Sequence, residues 1–403
     1  MTELFRSENV VARAVTCEDV SRWVVTFDNY SIGHGFDREG FAEAFLKAQG
    51  ISAVHIMGRR EDWYQYSEMP EVVSAVKTFL QGAERTITYG SSMGGYAALR
   101  FADLLDVDAV LALSPQYTIN PTRVPFEKRW LQDSERIVWM PHGEPPLPTR
   151  AQAVVVYDPA SLDKLHVDLI ARESTLVIIP IRYSGHPSAS MLAEQQMLSP
   201  LLMDVLAGAV DSEKYRRAAK ARRDESVTYL INLSDAAASK RQALALMLSE
   251  KAIGLQPMHI GGLQSLAKNL FLQGRNEEAL QAYQKAMDAS GRNVVIIVPY
   301  ANMLCQLGHH QDALELAREV ASRPDTEIMA HIQAWHGFIA RQAGEGAEAI
   351  EALKKAVALH PSEQKYRKLL KDYRLENSLI GRTRDAVAHL KRKIQGHPRS
   401  RFI

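Results

Sequence analysis

The chain has 403 residues, which is more than a typical single domain contains, so its length predicts two domains. Its formal net charge of +1 excludes a general electrostatic attraction to nucleic acid, and we expect no nucleic-acid partner. Two cysteines far apart in the sequence, Cys17 and Cys305, exclude a disulfide framework and a cysteine-based zinc site, and they suit a reducing compartment.

The sequence predicts neither a leader peptide nor a membrane span. The first residues, MTELFRSENVV, place charges on both sides of a very short apolar stretch. No apolar run reaches the roughly 20 residues that a membrane helix needs. We therefore expect a cytoplasmic protein. The scattered histidines of the second half are interpreted as solvated or packing residues, so neither a metal nor another cofactor is predicted.

Up to about residue 210, short apolar runs that are typical of strands alternate with amphipathic stretches that are typical of helices. The strand-like runs are residues 23–27, 53–57, 86–89, 109–113, 153–157 and 176–181. The helix-like stretches are residues 40–49, 71–80, 94–105 and 191–206. Continuous Val- and Ile-rich runs separated by helices indicate a mostly parallel sheet that helices cover on both faces. The predicted fold class of residues 1–210 is therefore α/β, with Pro180 indicating an edge strand.

After residue 210 the strand signal fades. Residues 211–240 are predicted to form a helical linker, in which the basic stretch KYRRAAKARR, residues 214–223, is interpreted as a solvated helix. The remaining residues, 241–403, have an almost entirely helical periodicity and are predicted to form a separate all-α domain of helical hairpins.

This helical part of the sequence repeats itself. Four glycines, Gly274, Gly308, Gly344 and Gly381, lie 34, 36 and 37 residues apart. An alanine follows each of them by five residues, and these are Ala279, Ala313, Ala349 and Ala386. The pattern resembles the tetratricopeptide repeat over roughly residues 240–395, although the signature tryptophan is missing from most units. The resemblance implies a curved surface for a protein or peptide partner, and an ordinary helical bundle is the alternative.

The stretch TITYGSSMGGYAALRFAD, residues 86–103, places a Gly- and Ser-rich turn between a strand and a helix. Its segment from Gly90 to Gly94 fits the pattern G-x-S-x-G, with Ser92 at the centre. Small neighbours allow a serine to adopt a strained backbone and to project its hydroxyl above the edge of the sheet. One interpretation is a reactive serine, and the alternative is a tight turn that happens to be polar.

In this context the residues resemble the α/β-hydrolase superfamily, over about residues 8–208. The resemblance implies that Ser92 is a nucleophile and that a histidine after the last strand, His186, is its base. It also implies an acid after the preceding strand, where Asp158 and Asp163 both remain candidates. Asp158 is alternatively a turn residue before proline, and Asp163 is alternatively a helix N-cap.

The same resemblance implies two backbone donors for the oxyanion of the reaction intermediate. One is the N–H of Met93, and the other is the backbone of Asn29 or Tyr30 in the loop after an early strand. The His34-Gly35 pair of that loop comes several residues later than in many lipases, so no role is transferred to it.

Two segments are predicted to shape a substrate pocket. Trp63 and Tyr64 follow the strand at 53–57, at the edge where open α/β sheets bind ligands, with surface packing as the alternative. Residues 116–150 lie between two strands, where hydrolases insert a lid, and we interpret them as a cap over the serine.

The sequence thus predicts a serine hydrolase, a carboxylesterase or acyl hydrolase that cleaves a small-molecule or glycan-linked ester. An acyltransferase with the same acyl-enzyme is equivalent until water is shown to be the acceptor. A non-catalytic scaffold protein with a retired hydrolase domain is an alternative of another class, which the repeats favour. A nucleotide-dependent enzyme is disfavoured because residues 90–95 lack the lysine of a phosphate loop.

Overall fold

The computed structural model describes residues 1–378, apart from residues 31, 34, 145, 146, 148 and 149. Within it the chain divides into two units, Met1–Ser239 and Lys240–Ile403, and each is described by itself. The last predicted repeat unit, which begins at Gly381, lies outside the described residues.

An eight-stranded, mostly parallel sheet forms the centre of the first unit. Its strands are β1 (Thr2–Arg6), β2 (Val10–Val15), β3 (Asp19–Phe27), β4 (Ile51–Gly58), β5 (Arg85–Ser91), β6 (Ala109–Leu113), β7 (Gln152–Tyr157) and β8 (Leu176–Pro180). Their order across the sheet is β1-β2-β4-β3-β5-β6-β7-β8. Strand β2 is antiparallel to both of its neighbours, and all pairs from β4 to β8 are parallel. The loops that follow the parallel strands therefore emerge at one edge of the sheet.

The six predicted strands correspond to β3 to β8, whereas the sequence does not predict β1 and β2. The sequences of these two strands, TELFR and VVARAV, interrupt their apolar residues with charged ones. Neither has the continuous apolar run of a buried parallel strand, because both pair antiparallel at the side of the sheet. At the opposite edge Pro180 ends β8, where a missing N–H costs no ladder hydrogen bond.

Ten α-helices belong to the first unit among its described residues. They are α1 (Glu43–Ala48), α2 (Met69–Phe79), α3 (Met93–Arg100), α4 (Ala102–Leu105), α5 (Leu131–Arg136), α6 (Asp163–Ile170), α7 (Ala189–Glu194), α8 (Leu198–Ala207), α9 (Ser212–Ala221) and α10 (Val227–Ala237). Apolar clusters cover both faces of the sheet, since successive strand residues point to opposite faces. Val25 packs in a cluster with α2 and α3, and Val24 packs in another with α8 and α9.

Helices α9 and α10 occupy the segment that the sequence assigns to a linker, residues 211–240, but the structure places them in the first unit. Tyr215 and Ala219, one turn apart on α9, are buried in the apolar cluster that contains Val24. Tyr215 Oη also donates to Asp204 at 2.6 Å. The linker prediction fails here because a narrow apolar stripe is inconspicuous among the many basic residues of this helix.

The described part of the second unit contains only helices and their connections. They are α11 (Gln242–Leu255), α12 (Ile260–Leu272), α13 (Asn276–Ala289), α14 (Val294–Gln306), α15 (His310–Ala321), α16 (Ala330–Gln342), α17 (Gly346–Leu359) and α18 (Gln364–Asn377). Helices α12 and α13, α14 and α15, and α16 and α17 pack as pairs. Gly274, Gly308 and Gly344 lie in the turns of these pairs with φ of +76°, +88° and +84°. Glycine adopts positive φ without strain, which explains its period in the sequence.

Small residues bring the two helices of each pair close together. Ala279, Ala313 and Ala349, the alanines five residues after the glycines, are fully or almost fully buried. In the pair α16 and α17, a Cβ on Gly337 would lie only 3.0 Å from the carbonyl oxygen of Ala349. The predicted small-residue positions are therefore the places where helices cross.

We expect Ala313→Leu to destabilise the second unit by about 1–3 kcal/mol, because the added methyl groups overfill a closely packed helix crossing. Ala358→Leu on the exposed side of α17 is the matched control, with an expected change within about 0.5 kcal/mol. Urea unfolding of the full chain, followed by far-ultraviolet circular dichroism, measures both. Equal effects of the two substitutions would show that Ala313 is not a tight contact.

Candidate active site

Ser92 lies in the turn between β5 and α3. Its backbone has φ of 54° and ψ of −117°, a conformation that residues with a side chain rarely adopt. A Cβ on Gly90 would lie 2.1 Å from the carbonyl oxygen of Gly94, and a Cβ on Gly94 would lie 2.4 Å from that of Phe27. A side chain at either position would collide with backbone atoms, so both positions require glycine. The short distance from Gly94 to Phe27 also shows that the turn packs directly against the end of β3.

Three side chains of the first unit form a continuous chain of hydrogen bonds. Ser92 Oγ lies 2.8 Å from Nε2 of His186, and Nδ1 of His186 lies 2.9 Å from Oδ2 of Asp163. Because an ionised carboxylate only accepts, Nδ1 carries the proton and Nε2 accepts from the serine hydroxyl. His186 lies in the loop after β8, and Asp163 is the first residue of α6. The structure therefore brings three of the four predicted catalytic side chains together.

Asp158, the fourth predicted catalytic side chain, makes no hydrogen bond to the His186 ring within the described part of the chain. Its Oδ1 accepts from the backbone N–H of Tyr183 at 3.0 Å, and its Oδ2 accepts from that of Gly185 at 2.9 Å. The N–H of Ala160 is a third donor, at 2.8 Å. Since backbone groups engage both oxygens, Asp158 fixes the loop that carries His186 instead of pairing with its imidazole.

A cation from the predicted cap, Arg129, also binds the carboxylate of Asp163. Its Nη1 lies 3.1 Å from Oδ1 of Asp163, whose side chain is fully buried. Burial acts to raise the pKa of this carboxyl, but the hydrogen bond from His186 and the charges of His186 and Arg129 outweigh it and hold the pKa below its ordinary value. Asp163 is therefore ionised at neutral pH and able to orient the imidazole.

Other residues of the cap hold Arg129 in place. Glu127 accepts from its Nη2 at 2.7 Å and from its Nε at 3.1 Å, and Glu127 also faces Nε2 of His166 at 2.9 Å. Burial acts to raise the pKa of Glu127, but the hydrogen bonds from His166 and Arg129 lower it to about 2. The guanidinium lies 4.3 Å from the ring centre of Trp130, which lies 5.4 Å from that of His186. The cap thus supports both Asp163 and His186.

Gln116 enters the sequence-based prediction only as the first residue of the cap, yet it contacts Ser92 directly. Its Nε2 donates to Ser92 Oγ at 3.2 Å, and its Oε1 accepts from Nε1 of Trp63 at 3.1 Å. Because an indole N–H only donates, it determines which end of the buried amide faces Ser92. One feature of the sequence could have indicated this contact. Gln116 follows β6, which lies beside β5 in the parallel sheet, so the segments that carry Gln116 and Ser92 emerge at the same edge.

Trp63 and Tyr64, which are predicted to line a substrate pocket, are interior residues. They have φ of 51° and 56° in the segment between β4 and α2, and their exposed fractions are 0% and 1%. Tyr64 Oη donates to the carbonyl oxygen of Ile56 at 3.0 Å, and the Trp63 ring lies 5.6 Å from that of Trp130. The turn directs both rings into the core, so neither presents a surface to solvent. Trp63 reaches the site through its hydrogen bond to Gln116 and through Trp130, whose ring lies beside that of His186.

The predicted oxyanion donors lie at the same edge of the sheet as the serine. Met93 is the first residue of α3, where a backbone N–H has no acceptor within its own helix. Asn29 and Tyr30 follow β3, which is the other parallel neighbour of β5. Ser31 and His34 of this loop lie outside the described residues. The roles of these backbone groups stay a prediction.

A polar cavity of about 600 Å³ lies between this loop and the cap. It is lined by Tyr30, Arg60, Glu61, Asp62, Asp133, Arg136 and Ile137. Tyr30 Oη donates to Asp133 Oδ2 at 3.3 Å, which joins the loop to α5 of the cap. Burial is the main cause that raises the pKa of Asp62 to about 7. With a single aliphatic residue in its wall, the cavity suits a polar ligand.

Across residues 1–378 with the gaps given above, no group of three or more His, Cys, Asp and Glu side chains is arranged to hold a metal ion. In that same part of the chain, no helix has the length and apolar character needed to cross a membrane. Among the histidines of the second half, His336 pairs with Glu348 at 2.8 Å, inside a helical hairpin.

The family similarity of this chain lies in its helical repeats. A family model described as tetratrico peptide repeat matches residues 267–376. A similar solved structure is TTC0263, a thermophilic TPR protein of Thermus thermophilus, with 18% identity, 45% of this chain and 99% of that chain covered, and a TM-score of 0.33. Another is MamA, from residue 41 to its end, of Desulfovibrio magneticus RS-1, with 18% identity, 42% and 93% covered, and a TM-score of 0.33.

A search of the curated proteins gave no match. The family-model match confirms the predicted tetratricopeptide repeats within residues 267–376, all of which belong to the second unit. Repeats of this kind support a protein-interaction module, since stacked hairpins present an extended surface to a partner.

We expect Arg129→Gln to destabilise the first unit by about 3 kcal/mol, because it leaves the buried Asp163 and Glu127 carboxylates without their cation. Arg123→Gln is the matched control from the same cap, and its half-exposed pair with Glu144 is worth less than about 1 kcal/mol.

Urea unfolding followed by tryptophan fluorescence measures both changes, since four of the five tryptophans lie in the first unit. A loss for Arg129→Gln no larger than that for Arg123→Gln would contradict the prediction and show that the buried carboxylates do not depend on Arg129.

Asp62 generates a pH-dependent prediction. Its pKa is about 7 in the folded protein against an ordinary 3.8, so between these values the folded state holds a proton that the unfolded state has lost. Stability therefore falls as the pH rises through this range. Asp62→Asn removes the effect, and we expect it to raise the free energy of unfolding by about 1–2 kcal/mol at pH 8 while changing it little at pH 4.

Urea unfolding at the two pH values measures the difference. Asp168→Asn, which removes an exposed carboxylate from α6, is the control and is expected to change stability by less than about 0.5 kcal/mol at either pH. A gain for Asp62→Asn that is the same at pH 4 and pH 8 would contradict the assignment.

Proposed function

We propose that the first unit is a serine hydrolase of the α/β-hydrolase type. The observation that carries the proposal is the unbroken chain of hydrogen bonds from Ser92 through His186 to Asp163. Its setting supports the same conclusion, because the serine sits on a strained turn between a central parallel strand and a helix N-terminus.

In the proposed reaction, His186 Nε2 takes the proton of Ser92 while Oγ attacks the carbonyl carbon of an ester. Asp163 holds the Nδ1–H tautomer and stabilises the imidazolium that forms. The imidazolium then returns the proton to the leaving alcohol, and an acyl-enzyme remains on Ser92. Water activated by His186 releases the acid, or a second alcohol takes the acyl group if the protein is an acyltransferase.

The oxyanion of the intermediate needs preorganised donors. In the proposal, Met93 N–H is the first donor and the backbone N–H of Asn29 or Tyr30 is the second. Gln116 is a positioning residue, because its hydrogen bond to Ser92 Oγ restricts the serine to the rotamer that also reaches His186.

The cavity beside Tyr30 supports a polar ester as the substrate. Its wall contains three carboxylates and two guanidinium groups, which form hydrogen bonds with hydroxyl groups but disfavour a long apolar acyl chain. Ser92 and His186 are not among the residues that line this cavity, and Tyr30 connects the cavity to the proposed oxyanion donors. In the proposal, the part of the substrate that extends past Tyr30 is therefore polar, as in a small polar ester or a glycan-linked ester.

The second candidate function is a non-catalytic scaffold protein, in which the first unit is a retired hydrolase domain. The match to the tetratricopeptide repeat favours this alternative over catalysis, because the comparisons support an interaction module and supply no support for hydrolysis. A protein or peptide partner on the repeats is proposed in both cases. The two candidates differ in one measurable property, the nucleophilicity of Ser92.

Labelling of the full chain with a fluorophosphonate probe tests the proposal, with the adduct mapped by mass spectrometry. We expect labelling of Ser92, no labelling of Ser92→Ala, and a rate at least about 10³-fold lower for His186→Ala and Asp163→Asn, since each breaks proton transfer from the serine. Asp158→Asn is the comparison carboxylate. It replaces one of the two oxygens that accept from the backbone of the His186 loop, so we expect its rate to fall by about ten- to hundredfold, which is less than the fall for Asp163→Asn.

A small fluorophosphate and a bulky fluorophosphonate are used in parallel, so that exclusion of a large probe by the cap is distinguished from an inert serine. Failure of both probes to label the folded protein would favour the scaffold function. Labelling that persists in Asp163→Asn but disappears in Asp158→Asn would overturn the assignment of the acid.

A further inference from the structure

A second cavity, of about 580 Å³, lies in the first unit between the end of β8, helix α9 and the start of α10. Five cationic side chains line it: Arg182, Arg216, Arg217, Lys220 and Arg223. The single carboxylate in the wall is that of Glu213. This cavity includes the basic stretch of α9, which the proposed hydrolase does not use.

The positive charge of this cavity is not balanced within it. Glu213 pairs with Arg216 at 3.0 Å and with Arg217 at 2.9 Å, so its charge is already shared. No carboxylate in the described part of the chain forms an ion pair with Lys220 or Arg223. Cations four residues apart on a helix, such as Arg216 and Lys220, destabilise it slightly. The whole chain is almost neutral, with a net charge of +1, yet this one cavity contains several cations that lack an ion-pair partner among the described residues.

Arginine predominates among these cations, which favours phosphate as the complementary anion. The planar guanidinium group forms paired hydrogen bonds with two oxygens of one phosphate group, and several arginines together suit more than one phosphate. The volume of the cavity lies in the range of small-molecule sites, about 300–1,000 Å³, and is too small for a folded partner.

Aromatic and apolar side chains line the same cavity. Tyr183 and Tyr229 pack edge to face with ring centres 5.9 Å apart, and the guanidinium of Arg182 lies 5.1 Å from the Tyr183 ring centre. Pro180 and Met191 extend this wall. Such a surface accommodates a flat organic group next to the cationic side chains.

We propose that this cavity is a binding site for a nucleoside diphosphate or a closely similar diphosphate ester. The phosphates bind Arg182, Lys220 and Arg223, and the base lies against Tyr229. The site is separate from the turn at residues 90–95, whose sequence lacks a phosphate-loop lysine. The proposal does not depend on hydrolase activity, because it concerns binding alone.

Isothermal titration calorimetry of the full chain with ADP, pyrophosphate and adenosine, at physiological ionic strength, tests the proposal. We expect ADP to bind with micromolar affinity and pyrophosphate to bind more weakly, with no binding of adenosine. The double variant Lys220→Gln/Arg223→Gln should weaken ADP binding by at least about tenfold, because it removes two charge-assisted contacts with phosphate. The matched control, Arg172→Gln, removes an exposed cation of the same unit outside the cavity and should leave the affinity unchanged.

A second variant separates the two parts of the site. Tyr229→Leu should weaken binding of ADP but not that of pyrophosphate, because it removes only the aromatic surface. Equal affinities of the unchanged protein for ADP and pyrophosphate would overturn the nucleoside part of the proposal. Absence of binding by both phosphate compounds, an equal loss in the Arg172→Gln control, or a higher affinity for a poly-glutamate peptide than for ADP would overturn the whole proposal.

Discussion

The buried carboxylate of Asp163 joins two segments of the first unit that are far apart in the sequence. It accepts hydrogen bonds from His186, which follows the last strand, and from Arg129, which belongs to the insertion after β6. A carboxylate that has lost its hydration is costly unless such donors compensate it. The cap and the histidine loop are therefore held in place by the same charged group, and the geometry around Ser92 depends on both.

The loop that carries His186 is also held by hydrogen bonds to its backbone. Asp158 accepts from two of its backbone N–H groups, and Asn232 of α10 donates to the carbonyl oxygen of Tyr183 at 3.2 Å. The segment beyond residue 210 thus supports the position of His186, in addition to forming one wall of the basic cavity. Arg182 begins the same loop on the side of that cavity. His186 of the proposed catalytic site and Arg182 of the proposed phosphate-binding site therefore lie near opposite ends of one short loop.

Some features of this protein were open to prediction because their causes are local. Gly90 is required by the backbone of Gly94, four residues away, whereas Gly94 is required by the end of β3 and belongs to the tertiary structure. The repeat glycines mark positive φ in short turns, and the buried alanines follow at a constant offset. The parallel strands were predictable for a different reason. Each is buried on both faces of the sheet, which leaves a continuous apolar run in the sequence.

From the sequence alone come the α/β order of the first unit, the turn at Ser92 and the helical repeats, because each leaves a short-range pattern. The candidate base His186 came from the resemblance to the α/β-hydrolase superfamily, which implies a histidine after the last strand. Only the tertiary structure shows that Asp163, and not Asp158, contacts the His186 ring. It also revealed Gln116 beside the serine, turned Trp63 inward and placed α9 on the sheet. These outcomes depend on where segments tens of residues apart meet and on which polar atoms they must satisfy there. No spacing within one segment carries that information.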